Sequence, residues 1–177
     1  MLTGAAVVLR PWTADDADAV LDACQDADIQ RWTTVPSPYT REDAVGYVTE
    51  VAPAAWADGG AVFAVVEAAS GEVVGSIGAH GLSDGVAPVG YWTAPGARGR
   101  GLTSDALRTL TGWLLRDGGA ARVELVAEPA NVGSTRVAEA AGFTCEGVLR
   151  RRMVLRGRRA DVAMYSMLPD DPAAAGL

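Results

Sequence analysis

The residues of Thr93-Ala-Pro-Gly-Ala-Arg98-Gly99-Arg100-Gly101-Leu102-Thr103-Ser104-Asp105 have the types and spacing to hold an anion. A glycine and arginine loop runs directly into an apolar-periodic segment, with Leu102, Ala106, Leu107, Leu110, Trp113 and Leu114 at helical spacing. The first N–H groups of such a helix have no partner within it and sit at the positive end of its dipole. Gly99 and Gly101 carry no Cβ to hold a phosphate off the backbone, Arg98 and Arg100 add charge, and Thr103 and Ser104 add hydroxyls. The stretch reads as a phosphate cradle. It lacks the Gly-Lys-Ser/Thr of a nucleotide-triphosphate loop, and Ser104 stands where a dinucleotide fingerprint needs its third glycine.

A second motif follows one strand later: Asn131-Val-Gly-Ser134-Thr-Arg-Val-Ala-Glu-Ala-Ala-Gly142-Phe143. Asn131 is the only asparagine of the chain and stands at a helix start just after Pro129, where it could equally serve as an N-cap. Two cysteines, Cys24 and Cys145, and a single histidine, His80, have no metal-ligand spacing, so no metal site is expected. With one histidine, no Cys–His or Ser–His nucleophile pair can be argued, and no acyl-enzyme is expected.

These residues need a scaffold, and its outline is legible. Ala6–Trp12 is a β-rich run stopped by Pro11; Thr13 and Asp16 open a helix as a capping box, and Thr40 with Asp43 opens another after a proline-punctuated loop from Trp32. Ala61–Glu67, Glu72–Leu82 and Val86–Ala94 read as a meander, Arg122–Glu128 as a strand, and Asn131–Ala141 as a short helix ended by Gly142. Thr144–Leu155 and Arg159–Leu168 pair as a hairpin around Arg156-Gly157-Arg158, with Val154 and Val162 expected to face inward. Strands interleaved with helices over 177 residues predict one α/β domain, 1–168, with a flexible tail over 169–177.

Together the two motifs resemble the GNAT N-acetyltransferase superfamily, whose signature is [QR]-x-x-G-x-[GA] followed by an N-x-x-[AS]…G-F helix. Val8-Leu-Arg-Pro11, Gly90-Tyr91-Trp92, Arg98-Gly-Arg-Gly101, Asn131-x-x-Ser134, Gly142-Phe143, Glu146-Gly147 with Leu149-Arg150, and Asp161 ahead of Tyr165-Ser166 look like its ribosomal-protein (RimJ/RimL-like) branch. The resemblance implies the GNAT fold, a mixed and mostly antiparallel sheet of about six to seven strands with about four helices. It also implies acetyl-CoA as co-substrate. Arg98, Gly99, Arg100, Gly101, Leu102, Thr103 and Ser104 would hold its diphosphate. Trp92 and Thr93 would flank the pantetheine arm, and a main-chain N–H there would polarise the thioester carbonyl. Asn131 would meet that arm or fix the loop that does. Two positions depart from the pattern: Thr103 replaces Gly or Ala, and Ala138 stands where many members carry an acid tyrosine. Ser134 is then the nearest hydroxyl to protonate the departing thiolate, and a thiol of pKa ~8.5 needs little help.

Acetyl transfer needs a neutral amine. A lysine-like amine of pKa ~10.4 is short of that form at pH 7 by about 4.6 kcal/mol, whereas an α-amine near pKa 8 is short by about one unit. Pro88 stands where the branch often has a glutamate, leaving His80, Asp84, Glu124 and Glu128 as base candidates with none singled out. The missing glutamate favours a low-pKa amine: a peptide N-terminus or a small molecule. Trp32, with the loop to Tyr39, is read equally as lining an acceptor pocket or as a core or lid residue. A longer acyl group and a non-catalytic acyl-CoA sensor are the competing readings. Net charge −7 disfavours nucleic acid, the six arginines between Arg150 and Arg159 notwithstanding. No charge-free apolar run is long enough for a membrane span and the N-terminus is unlike a signal peptide, so a cytoplasmic protein, with room for a homodimer, is expected.

Overall fold

Eight strands make one mixed sheet in the computed structural model, which describes residues 1–177. They are β1 (Leu2–Thr3), β2 (Val7–Arg10), β3 (Ala61–Glu67), β4 (Val73–Ala79), β5 (Val86–Thr93), β6 (Arg122–Ala127), β7 (Thr144–Leu155) and β8 (Arg158–Met167), in spatial order β1-β2-β3-β4-β5-β6-β8-β7. Only the β5–β6 pair is parallel. The sheet has one strand more than the upper expectation. The addition, Leu2–Thr3 against Leu9 and Val8, is too short to carry a period of its own.

Six α-helical segments flank the sheet: α1 (Ala17–Cys24), α2 (Ala27–Trp32), α3 (Arg41–Gly46), α4 (Ala52–Ala57), α5 (Leu102–Arg116) and α6 (Val132–Ala140). Both threonine boxes form as the sequence predicts, Asp16 and Asp43 each accepting from the N–H and hydroxyl of Thr13 and Thr40. α2 was not foreseen. It is capped by Asp26, which accepts from the N–H groups of Asp28 and Ile29, but buries only Ile29, so no amphipathic pattern announces it. α3 continues into α4 through one π turn, Tyr47–Val51, just ahead of Pro53, which has no N–H for the regular ladder. That turn rotates the buried face: Ala44, Val48 and Ala52 point inward and Val51 is exposed.

The sheet is covered on both faces. α5 and α6 pack on one, where Leu102, Ala106, Leu107, Leu110 and Leu114 join Phe63, Ile77, Val123, Phe143 and Met167 in the larger core. α1 to α4 pack on the other, over Val62 and Ala64, with Val20, Cys24, Ile29 and Tyr39. The β7–β8 hairpin turns on Arg156 and Gly157, both at positive φ, so the two-residue turn matches the strand twist. Val162 is buried as expected, but Val154 is not: the two-residue turn pairs it with Arg159, three residues from Val162 and so on the other face of the strand, and it is 57% exposed. Residues 169–177 lie against the core, with Ala173, Ala174 and Leu177 partly buried and Ala173 occupying the space beside Gly142 where a Cβ would stand. No helix is long and apolar enough to cross a membrane.

Candidate active site

The parallel β5–β6 ladder is short: Val86, Ala87 and Pro88 pair with Arg122, Val123 and Glu124, and there it stops. β5 continues to Thr93 against β4 alone. His80 N–H donates to Pro88 and Ala94 N–H to Val74, so even-numbered positions bond to β4 and odd-numbered ones turn the other way. Past the ladder's end, the main-chain groups of Tyr91 and Thr93 therefore face a wedge between β5 and β6 without a strand partner. The strand ends beside the glycine and arginine loop and the N-terminus of α5, so wedge and cradle form one continuous track.

The glycine and arginine loop has left-handed backbone at both of its φ-free positions. Gly99 and Gly101 sit at φ +73° and +77°, and a Cβ at either would have no atom within 4 Å. Left-handed backbone is the reason for glycine at both, and their bare surface faces outward. Gly101 caps α5 without a side-chain acceptor, and the N–H groups of Leu102, Thr103 and Ser104 find no partner in the chain. The side chains are arranged differently from a simple set of phosphate donors. Arg98 is ion-paired with Asp26, the α2 cap, and Arg100 with the nearly buried Glu67. Leu102 is core. Ser104 is buried with its hydroxyl toward the carbonyl of Val137, 3.4 Å away. The Thr103 hydroxyl is 2.6 Å from that of Thr93, pinning the helix start to the end of β5. Trp92 faces the opposite layer, its ring 6.3 Å from that of Trp12.

At the head of α6, the Asn131 side chain accepts from the Ser134 N–H at 3.1 Å, the N-cap arrangement. Ser134 is half-buried, and its hydroxyl lies 3.0 Å from the phenol of Tyr91, which also donates to the Ser134 carbonyl at 3.1 Å. Sequence reasoning missed Tyr91 as a site residue; the signal available was its place in Gly90-Tyr91-Trp92 on the strand that leads to the cradle. Burial pushes its phenol up to about 12, against the pull of the Ser134 hydrogen bond, so it holds its proton throughout the neutral range. The departure at position 138 also has a structural reason: Ala138 is 0% exposed and belongs to the core, not the wedge.

The four base candidates separate. His80 is exposed, with its Nε2 over the face of Gly90. Glu124 stands beside Pro88 in the parallel register and accepts from Arg122 at 2.9 Å. Asp84 lies in the turn before β5 with φ +52°. Glu128, one residue past β6, has a side chain only 10% exposed and receives Arg158 on both oxygens at 2.7 Å. Glu128 also lines a cavity of about 430 Å³ with Arg31, Trp32, Ala130, Leu155, Arg156 and Arg158. Trp32, for which the sequence left a pocket, core or lid role open, lines this cavity. α2 is tied at both ends: Asp26 at its start is held by Arg98, and Arg156 donates to the carbonyls of Gln30, Thr33 and Val35 at its end.

Comparison with known proteins agrees with this geometry. The acetyltransferase (GNAT) domain family profile matches residues 6–144. The uncharacterized N-acetyltransferase p20 of Bacillus licheniformis is 25% identical over 168 residues, 92% of each chain. In fold, the chain is similar to RimL, the ribosomal L7/L12 alpha-N-protein acetyltransferase solved with coenzyme A, at TM-score 0.82 and 22% identity over 95% of this chain and 98% of that one. Mycobacterium smegmatis RimJ, solved with a CoA-disulfide, superposes at TM-score 0.81 and 22% identity over 96% of this chain and 86% of the other. With a matching profile over most of its length and the fold to go with it, the chain belongs to the GNAT family of acetyltransferases.

Proposed function

We propose that the protein transfers the acetyl group of acetyl-CoA directly to a primary amine, and that the preferred acceptor is a peptide α-amine. The observation that carries this reading is the continuity of the unpaired β5 edge with the bare N-terminus of α5, which suits an extended amide-bearing arm ending in a diphosphate. Main-chain groups of Tyr91 and Thr93 would bond the arm as a strand does, and the N–H groups of Leu102, Thr103 and Ser104 would receive the diphosphate. Arg98 and Arg100 are exposed enough to turn from Asp26 and Glu67 toward it. The RimL and RimJ structures, solved with coenzyme A and a CoA-disulfide, support a coenzyme seat in this fold.

The chemistry balances without a covalent enzyme intermediate. The amine nitrogen forms its bond to the acetyl carbon, the carbon–sulfur bond breaks, and the nitrogen's proton loss matches the proton gained by the thiolate. Ser134 would pass a proton to the sulfur and recover one from solvent, which takes up the amine's proton, with Tyr91 holding the serine hydroxyl. An α-amine needs far less help to become neutral than a lysine side chain, which suits a site where Glu124 and Glu128 are both engaged by arginines. RimL acts on an amino terminus, which favours the same acceptor class here.

The test is to incubate the protein with acetyl-CoA and a panel of free-N-terminus peptides, lysine side-chain peptides and small amines, following thiol release and the mass of the acceptor. Acetyl on α-amines is expected. Coenzyme binding without turnover on any amine would instead support a sensor, and no coenzyme binding would remove the reading altogether.

A further inference from the structure

The arginine-rich hairpin has a use that the acetyl-transfer track does not absorb. In a chain of net charge −7, its turn helps to build a cavity holding three guanidinium groups, Arg31, Arg156 and Arg158, against one carboxylate, Glu128. The three are not equivalent. Arg156 is spent on the carbonyls of Gln30, Thr33 and Val35, and Arg158 on Glu128. Arg31 has no carboxylate partner. Its guanidinium lies over the Trp32 ring, 4.3 Å from the centroid, which orients the group while leaving its hydrogen-bond fork unused.

Two of the lining residues, Glu128 and Ala130, lie in the short segment that runs from β6 into Asn131, the cap of α6. A carboxylate has about four acceptor sites, and Arg158 occupies only part of that capacity. The remainder can accept from an amine. The cavity therefore presents one acceptor for an amine and one unpaired, oriented guanidinium for a carboxylate.

We propose that this cavity is the acceptor site and that it selects an α-amine whose carrier bears a carboxylate close by, such as a peptide with an acidic residue next to its N-terminal one. Glu128 receives the amine and Arg31 the carboxylate. The assignment rests on the acetyl-transfer reading for what happens to that amine, but not for the binding itself.

Calorimetric titration with three peptides, Ser-Glu, Ser-Gln and Ser-Lys followed by the same neutral tail, and with free glutamate, tests it alongside initial acetylation rates. The acidic peptide should bind at least about tenfold more tightly than the neutral one, the scale of one charge-assisted bidentate hydrogen bond. Arg31→Gln should bring that ratio to about one, and Arg31→Glu should turn the preference toward Ser-Lys, a reversal that simple misfolding cannot produce. Free glutamate binding as well as the peptide would assign the site to an amino acid instead of a chain end, and would keep the proposed chemistry. Equal binding of all three peptides, binding of none, or discrimination that survives Arg31→Gln would overturn it. Selective binding without acetylation would leave this inference standing and refute the transferase reading.

Discussion

The phenol of Tyr91 on β5 and the hydroxyl of Ser134 on α6 stand 3.0 Å apart, which ties the open edge of the strand to the helix that faces it. Tyr91 sits where main-chain groups are unpaired, and Ser134 sits where the helix is capped by Asn131. Their bond holds the head of α6 to the strand whose edge is open.

Removing that hydroxyl should slow transfer without loosening the co-substrate. Ser134→Ala is expected to lower kcat by about a hundredfold, at the low end of general-acid contributions. Tyr91→Phe should cost about tenfold, the worth of one hydrogen bond. Because both act through the same proton, the double variant should resemble Ser134→Ala alone. Stopped assays give the rates and CoA titration gives the affinity. Independent, multiplying effects would separate the two residues.

Gly101→Ala distinguishes backbone strain from ligand contact. At φ +77° an alanine costs on the order of 1 kcal/mol, and its Cβ meets no atom of the protein within 4 Å. Thermal unfolding should therefore shift only by a few degrees. Coenzyme A affinity should fall by more than about tenfold, since the new methyl enters the space in front of the α5 N-terminus. Unchanged affinity would place the diphosphate elsewhere.

Stability at low pH should depend on Asp16. Burial alone would raise its carboxyl, but the Arg10 guanidinium and the Thr13 N–H and hydroxyl outweigh that and hold it below the ordinary carboxylate value. A group depressed in the folded state contributes in full above its unfolded pKa, ~3.9, and its contribution is lost as pH falls through the lower folded value. Asp16→Asn should cost on the order of 2 kcal/mol at pH 7, because it leaves Arg10 half-buried without its partner. Denaturant unfolding at several pH values should show the two proteins converging as pH falls below the ordinary carboxylate range. A gap that persists there would assign the effect to packing.

Arg156→Gln should free the far end of α2. The three carbonyl acceptors at Gln30, Thr33 and Val35 lose their clamp, so amide exchange should accelerate over residues 30–35 and stay unchanged in α5. The acceptor KM should rise several-fold while coenzyme affinity holds, because Arg156 touches the acceptor cavity and not the cradle.

Much of this arrangement can be read from the chain, and what cannot has a common cause. Threonine boxes, glycine turns and period-two runs are local, so α1, α3, the meander and the hairpin were legible. So was the glycine turn ahead of α5, where Gly99 and Gly101 both take positive φ. The unexpected features depend on partners far away in sequence. Arg98 meets Asp26 across 72 positions, Arg100 meets Glu67 across 33, and Tyr91 meets Ser134 across 43. No spacing rule reaches those distances. α2 escaped notice for a related reason: it is held by Arg98 and Arg156 at its ends more than by an apolar face of its own.

An unpaired stretch of strand inside a sheet is an interior edge, and edges recruit strands. From the standpoint of the fold, the arm laid along Tyr91 and Thr93 would supply missing rungs between the two halves of the sheet, which otherwise meet through only the Val86, Ala87 and Pro88 pairings. Loading the thioester and stitching the two halves together are then the same event.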